Sequence, residues 1–95
     1  MTYELLFLPS ALKEWRKLGD PVRQQLKAKL AERLEHPRVE ADRLRGSELK
    51  DCYKIKLRNA GYRLVYRVSD TTVTVTVVAV GKREGSRIYE AARRR

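Results

Sequence analysis

The chain has 95 residues, 42% of them hydrophobic, and a formal net charge of +10. That length points to one domain over residues 1–95 with a single small core, and the charge exceeds what solubility asks for, so it points to nucleic acid or another polyanion as partner. One Cys and one His exclude an internal disulfide and a His/Cys metal site, and no apolar run reaches the length of a membrane span.

Met1–Leu8 lacks the basic opening and long apolar segment of a signal peptide, so the expected location is the cytoplasm. Thr2–Leu8 (TYELLFL) reads as a mostly buried strand ended by Pro9-Ser10. Ser10 is a candidate N-cap, and Ala11, Leu12, Trp15 and Leu18 follow at helical spacing up to Gly19. Asp20-Pro21 restarts a helix, with Asp as N-cap and Pro at the first helical position. That helix runs to about Glu35, with Val22, Leu26, Leu30 and Leu34 as its apolar stripe. The pair forms a helical hairpin over one face of a sheet.

Arg38–Lys50 is a loop with a turn at Gly46. The next stretch, Asp51–Arg67, alternates strictly. Tyr53, Ile55 and Leu57 share one parity, and Lys54, Lys56 and Arg58 the other. Successive strand side chains point to opposite faces, so one face is apolar and the other cationic. Asn59-Ala60-Gly61 reads as a hairpin turn. The second run repeats the pattern with Leu64, Tyr66 and Val68 against Arg63, Val65 and Arg67. Pairing Arg58 with Arg63 gathers Lys54, Lys56, Arg58, Arg63 and Arg67 on one face. Ser69-Asp70-Thr71 is a second tight turn. Thr72–Val80 is a β-branched strand, central at its Val77–Val80 end, which Gly81 breaks. Ser86–Arg95 is a last short helix with Ile88, Ala91 and Ala92 as contacts, and Arg93–Arg95 is a frayed tail. The order is β-α-α-β-β-β-(α). The fold class is therefore α+β, a small antiparallel sheet with an N-terminal helical hairpin on one face.

Like charges facing each other across strands destabilise a sheet. A solvated outer face usually mixes signs, yet no carboxylate lies between Cys52 and Ser69. The pattern fits a surface shaped for a polyanion. Cys52 reads as a packing residue and His36 as an ordinary exposed one. Paired catalytic carboxylates and glycine-rich phosphate loops are absent. What remains for chemistry is Lys54, Lys56, Arg58, Arg63, Arg67, Arg45 and Arg83, with Tyr62 and Tyr89 beside them. RNA carries its own nucleophile in the 2′-hydroxyl. Preorganised cations stabilise the phosphorane, and crowded cations make a neighbouring Lys or Tyr a better base. Residue pattern alone reaches a basic nucleic-acid-binding α+β domain, with nuclease activity as an open alternative.

An ordered series of segments then resembles the RelE family of bacterial toxins over nearly the whole chain. The series is Ala11–Gly19 (ALKEWRKLG), Arg43–Gly46 (RLRG), Asp51–Arg58 (DCYKIKLR) with Gly61–Tyr66 (GYRLVY), and Gly81–Glu84 (GKRE) followed by Tyr89. The resemblance implies a ribosome-dependent mRNA interferase that cuts the codon in the vacant decoding site by 2′-hydroxyl attack, leaving a 2′,3′-cyclic phosphate and a 5′-hydroxyl. It implies Lys54, Lys56, Arg63, Arg83 and Tyr89 as the catalytic set. Tyr89 or Lys54 is the base, Arg83 the acid, and Lys56 and Arg63 stabilise the phosphorane. Arg45, Arg58 and Arg67 contact substrate, and no cofactor or metal takes part. The loop Ser47–Lys50 is longer than the family pattern, which bears on the setting of Arg45. The implied partners are mRNA, the ribosomal RNA of the decoding site, and a RelB-like antitoxin whose complex binds operator DNA; no membrane is involved. Three alternatives stand beside this reading: a gyrase-directed toxin of the same fold, a ribosome-independent ribonuclease, and a non-catalytic nucleic-acid-binding module.

Overall fold

The structure, a computed structural model, describes residues 2–84 and 87–95. In chain order the elements are β1 (Glu4–Phe7), α1 (Pro9–Arg16), α2 (Asp20–Glu35), single 3-10 turns at Glu40–Asp42 and Ser47–Leu49, β2 (Cys52–Leu57), β3 (Tyr62–Ser69), β4 (Thr74–Lys82) and α3 (Arg87–Arg94). The strands form one sheet in the order β1-β4-β3-β2. Strands β2, β3 and β4 pair antiparallel, as tight turns require. The sheet is nevertheless mixed, because β1 lies parallel to β4. Strands β1 and β2 therefore occupy opposite edges, and the α1–α2 hairpin carries the chain from one to the other.

Both helices begin earlier than the cap residues suggest. Leu8 and Gly19 are the N-cap positions, with no side-chain cap, so Ser10 and Asp20 lie inside the first turns. Asp20 pairs there with Arg23, and its charge suits the positive helix end. The apolar stripe of α2 holds: Leu26 and Leu30 are fully buried, with Val22 and Leu34 packed beside them. Burying a Leu side chain contributes about 1.5–3 kcal/mol, so these two alone anchor the helix to the sheet. They meet Tyr53, Ile55, Leu57, Leu64, Tyr66, Val75 and Val77 in the main core.

The hairpin register differs from the expected one by two residues. Leu57 pairs with Tyr62 and Lys56 with Arg63, so Arg58–Gly61 is the four-residue turn. The Gly61 N–H donates to the Leu57 carbonyl (2.8 Å), with Gly61 at φ 69°, a backbone state that glycine adopts without cost. A two-residue slip preserves side-chain parity, so both faces keep their expected residues. Arg58 moves from strand to turn, and Tyr62 from turn to strand. Strand β4 is also displaced relative to Thr72–Val80. It starts at Thr74, after Val73 at φ 55°, and runs through Gly81, which pairs with Arg63. A bulge between Val65 and Tyr66 leaves Val78 as an extra residue in β4, shifting parity so that Val77 and Val80 face the main core while Val78 and Ala79 face the other side.

That other side is not simply solvated. Helix α3 covers part of it, with Ile88, Tyr89, Ala91 and Ala92 packed on Leu49, Cys52, Val65, Val78 and Ala79. The helices thus lie on both faces. The predicted start of α3 at Ser86 lies outside the described residues. Its far end is not frayed: Arg95 donates to the Glu14 carboxylate and the Val78 carbonyl. Cys52 is a buried packing residue, as expected.

Candidate active site

On the face away from α1 and α2, β2 and β3 set side chains in rows. Lys56 stands opposite Arg63, Lys54 opposite Val65, and Cys52 opposite Arg67. On the next strand Gly81 follows Arg63, and Ala79 follows Val65. These small residues let α3 lie low. A Cβ on Gly81 would stand 2.9 Å from the Ile88 Cδ1, so the tip of that side chain rests directly on the glycine. Tyr89 is carried with the helix to the cationic row. The Arg63 Nη1 donates to the Tyr89 hydroxyl oxygen at 3.0 Å, and the guanidinium carbon lies 6.0 Å from the ring centroid. With that oxygen accepting from Arg63, the hydroxyl proton is free to turn outward.

Crowding shows in the titration of this row. The Lys56 ammonium lies below the usual lysine range, first through the charge of Lys54, then through a hydrogen bond with Lys54, with Arg63 and Arg58 adding to the effect. Like charges disfavour each other's protonated form, and an anion between them would relieve the repulsion.

An open hollow of about 310 Å³ is lined by Lys56, Leu57, Arg58, Gly61, Tyr62, Arg63 and Arg83. No carboxylate is among these residues. Arg83 is brought in by the hairpin turn, since its N–H donates to the Gly61 carbonyl at 2.7 Å. A second hollow of about 360 Å³ adjoins across Lys56 and Arg58, adding Lys54, Lys29, Arg33 and Asp42. The Asp42 carboxylate is held at 2.6 Å by Arg33, which also donates to the Lys54 carbonyl and the Tyr66 hydroxyl.

Lys54, Lys56, Arg58, Arg63, Arg83 and Tyr89 therefore gather at one end of the sheet. Two expected residues lie apart. Arg45 lines a different hollow with Glu40, Arg43, Gly46, Ser47 and Lys50. Arg67 sits beside Cys52; burial pushes that thiol up and Arg67 partly draws it back. Lys29, which the sequence reading did not single out, also borders the site. The signal was its spacing, four residues before Arg33 and flanking the buried stripe. Among the described residues no group of three or more His, Cys, Asp or Glu could hold a metal ion, and no helix is long and apolar enough to cross a membrane.

The arrangement suits a phosphodiester: cations from two strands and a turn, a tyrosine on a helix, and no fixed negative charge in the main hollow. Comparison with known proteins agrees in kind. Residues 5–87 match the family described as ParE toxin of type II toxin–antitoxin system, parDE. The mRNA interferase toxin RelE of Escherichia coli K12 is 61% identical over 95 residues, covering 100% of this chain and 98% of the relative. The free-state structure of an E. coli toxin RelE variant with two arginines changed to alanine matches with a TM-score of 0.88 at 61% identity, over 97% of this chain and 95% of that one. The toxin in the intact E. coli RelBE toxin–antitoxin complex matches with a TM-score of 0.82 at 63% identity, over 86% and 98%. A likeness of this extent, over a fold and a hairpin read independently, places the chain in the RelE family of toxins of type II toxin–antitoxin systems.

Proposed function

We propose that this chain, as one domain over residues 1–95, is the toxin of a toxin–antitoxin pair and a metal-independent endoribonuclease that cuts mRNA and so stops translation. Cleavage takes place on a codon in the vacant decoding site of a translating ribosome. The base, Tyr89 or Lys54, takes the proton of the 2′-hydroxyl. The 2′-oxygen bonds to the adjacent phosphorus, and the P–O5′ bond breaks. Arg83 gives a proton to the departing 5′-oxygen, leaving a 2′,3′-cyclic phosphate and a 5′-hydroxyl. Lys56 and Arg63 hold the charge that builds on the phosphorane oxygens, where preorganised donors act most strongly. Arg58, Arg67 and Arg45 serve the RNA on either side.

The observation that carries this reading is the carboxylate-free hollow lined by Lys56, Arg58, Arg63 and Arg83, whose Arg63 also holds the Tyr89 hydroxyl. A surface made only for binding has no need to crowd Lys54 against Lys56, a crowding that lowers the Lys56 pKa. The 61% identity to an mRNA interferase supports the substrate, and the likeness to the toxin of the RelBE complex supports a RelB-like antitoxin as the natural inhibitor. We take the complex with that antitoxin to bind its operator DNA and the toxin to act in the cytoplasm.

The test is incubation of purified protein with mRNA, alone and on ribosomes with an empty decoding site, followed by end-group analysis. Cleavage on ribosomes only, with cyclic phosphate and 5′-hydroxyl ends, is expected. Cutting of free RNA at an equal rate would favour a ribosome-independent nuclease, and no cutting in either arm would reduce the protein to a binding module or a gyrase-directed toxin.

A further inference from the structure

Helix α3 carries Tyr89 and is held to the sheet by a thin apolar layer. It has eight residues, too few to be stable alone in water, and Ala92 is its one fully buried side chain. Beside it stand the partly buried Ile88, Tyr89 and Ala91, the Arg63–Tyr89 bond and an exposed ion pair from Arg93 to Glu48 at 3.8 Å among the contacts described for the helix, so its position gains from a hold at its far end. Strand β1 ends at Phe7, paired with Val77; the Leu8 N–H donates to the Val77 carbonyl, and Pro9 then turns the chain into α1. Beyond that point the outer edge of β4 has no strand beside it. Two side chains take the strand's place. The Glu14 Oε1 accepts from the Val80 N–H at 3.2 Å, and the Arg95 Nη1 donates to the Val78 carbonyl at 2.9 Å. The same two side chains bond each other in a bidentate pair, at 2.8 and 3.0 Å. Glu14 comes from the helix on one face of the sheet and Arg95 follows the helix on the other, so they clasp β4 around its edge. Both are largely out of water, with side chains 29% and 23% exposed, and bidentate charge-assisted bonds are the strong, orienting kind.

We infer that Glu14 and Arg95 are positioning residues, whose clasp around the edge of β4 holds α3 at the place where the Tyr89 hydroxyl meets Arg63. The inference rests on the proposed catalytic role of Tyr89 and adds a control point at the opposite end of the helix. Loss of the clasp lets α3 lift and swing, so that Tyr89 spends less time on Arg63, while Lys54, Lys56 and Arg83 stay on their strands and turn.

The test compares the parent, Arg95→Ala, Tyr89→Ala and the double variant in single-turnover cleavage on programmed ribosomes, with amide hydrogen exchange followed over the whole chain. Exchange in residues 87–94 of Arg95→Ala should speed up about tenfold, the scale of one charge-assisted bond, while β3 and β4 stay protected. Its cleavage rate should fall by a similar factor with ribosome binding unchanged. Glu14→Gln, which keeps an acceptor for Val80 but loses the charge, should behave alike, and Arg95→Lys should recover part of the rate. In the Tyr89→Ala background, Arg95→Ala should cause no further slowing, because the clasp acts through that tyrosine. Equal slowing in both backgrounds, or unchanged exchange in α3, would overturn the inference and leave the catalytic reading intact. A parental cleavage rate for Tyr89→Ala would overturn the inference and leave Lys54 as the base.

Discussion

Arg33 reaches from α2 beneath the edge of the sheet and ties three elements to β2. It donates to Asp42 at 2.6 Å, to the Tyr66 hydroxyl at 2.9 Å and to the Lys54 carbonyl at 3.2 Å. Replacing it with Met keeps most of the aliphatic stem and removes the three bonds. The Tyr66 hydroxyl keeps its own bond to the Pro37 carbonyl at 2.6 Å, and the Lys54 carbonyl on an edge strand can be rehydrated, so these two together cost about 1 kcal/mol. The Asp42 carboxylate is the larger loss. Its side chain is 26% exposed and that of Arg33 15%, so the penalty falls below the 3–5 kcal/mol of a fully buried broken pair, at about 2 kcal/mol. The sum, about 3 kcal/mol, would lower the Tm of a domain this size by about 12–24 °C. Urea denaturation of the parent, Arg33→Met, Asp42→Asn and the double variant measures it directly. A coupling energy above about 1 kcal/mol between positions 33 and 42 is expected for residues in contact. A loss under about 0.5 kcal/mol for Arg33→Met would place it among ordinary surface changes and refute the view that this network fixes the strand carrying Lys54 and Lys56.

Arg83→Ala should bind programmed ribosomes nearly as well as the parent and cut about 10²–10³ times more slowly in single turnover, as for loss of a donor used only in the transition state; lost affinity with an intact saturated rate would make Arg83 a docking residue. Lys54→Gln should raise the Lys56 pKa toward the ordinary lysine value, followed by NMR of the Nζ resonance. Because that pKa is depressed in the folded state, stability should rise with pH between the depressed value and the ordinary one, and the substitution should flatten the rise. Ribosome affinity should fall steeply with salt if many phosphates are contacted, whereas a flat response would assign the +10 charge to the antitoxin.

The hairpin was the most legible part of the molecule. Alternation from Tyr53 to Leu57, repeated from Tyr62 to Val68 with a break only at Val65, fixed which face each side chain occupies, and that survived an error of two residues in the pairing. Pairing is set by the turn, and the turn is Arg58–Gly61, closed by the Gly61 N–H on the Leu57 carbonyl, in place of Asn59–Tyr62. The parallel docking of β1 was hidden because a strand of four residues carries no sign of its neighbour's direction. The second cluster left a trace that was seen only in part. Val65 interrupts the cationic row, and Val77–Val80 is apolar on both parities, so the cationic face needed a partial cover. Helix α3 supplies it. The clasp of Glu14 with Arg95 was not legible, since residues so far apart meet only through tertiary packing and Arg93–Arg95 resembles any charged tail.

In the proposed reaction a cation and tyrosine site lets the RNA attack its own backbone. The most direct test places a single 2′-deoxynucleotide at the cleavage position of an mRNA held in the empty decoding site and measures single-turnover cutting beside the all-ribose control. Equal binding, no cleavage at the deoxy position, and 2′,3′-cyclic phosphate with 5′-hydroxyl ends from the control are expected. Cleavage of the deoxy substrate at a comparable rate, leaving a 5′-phosphate, would contradict it.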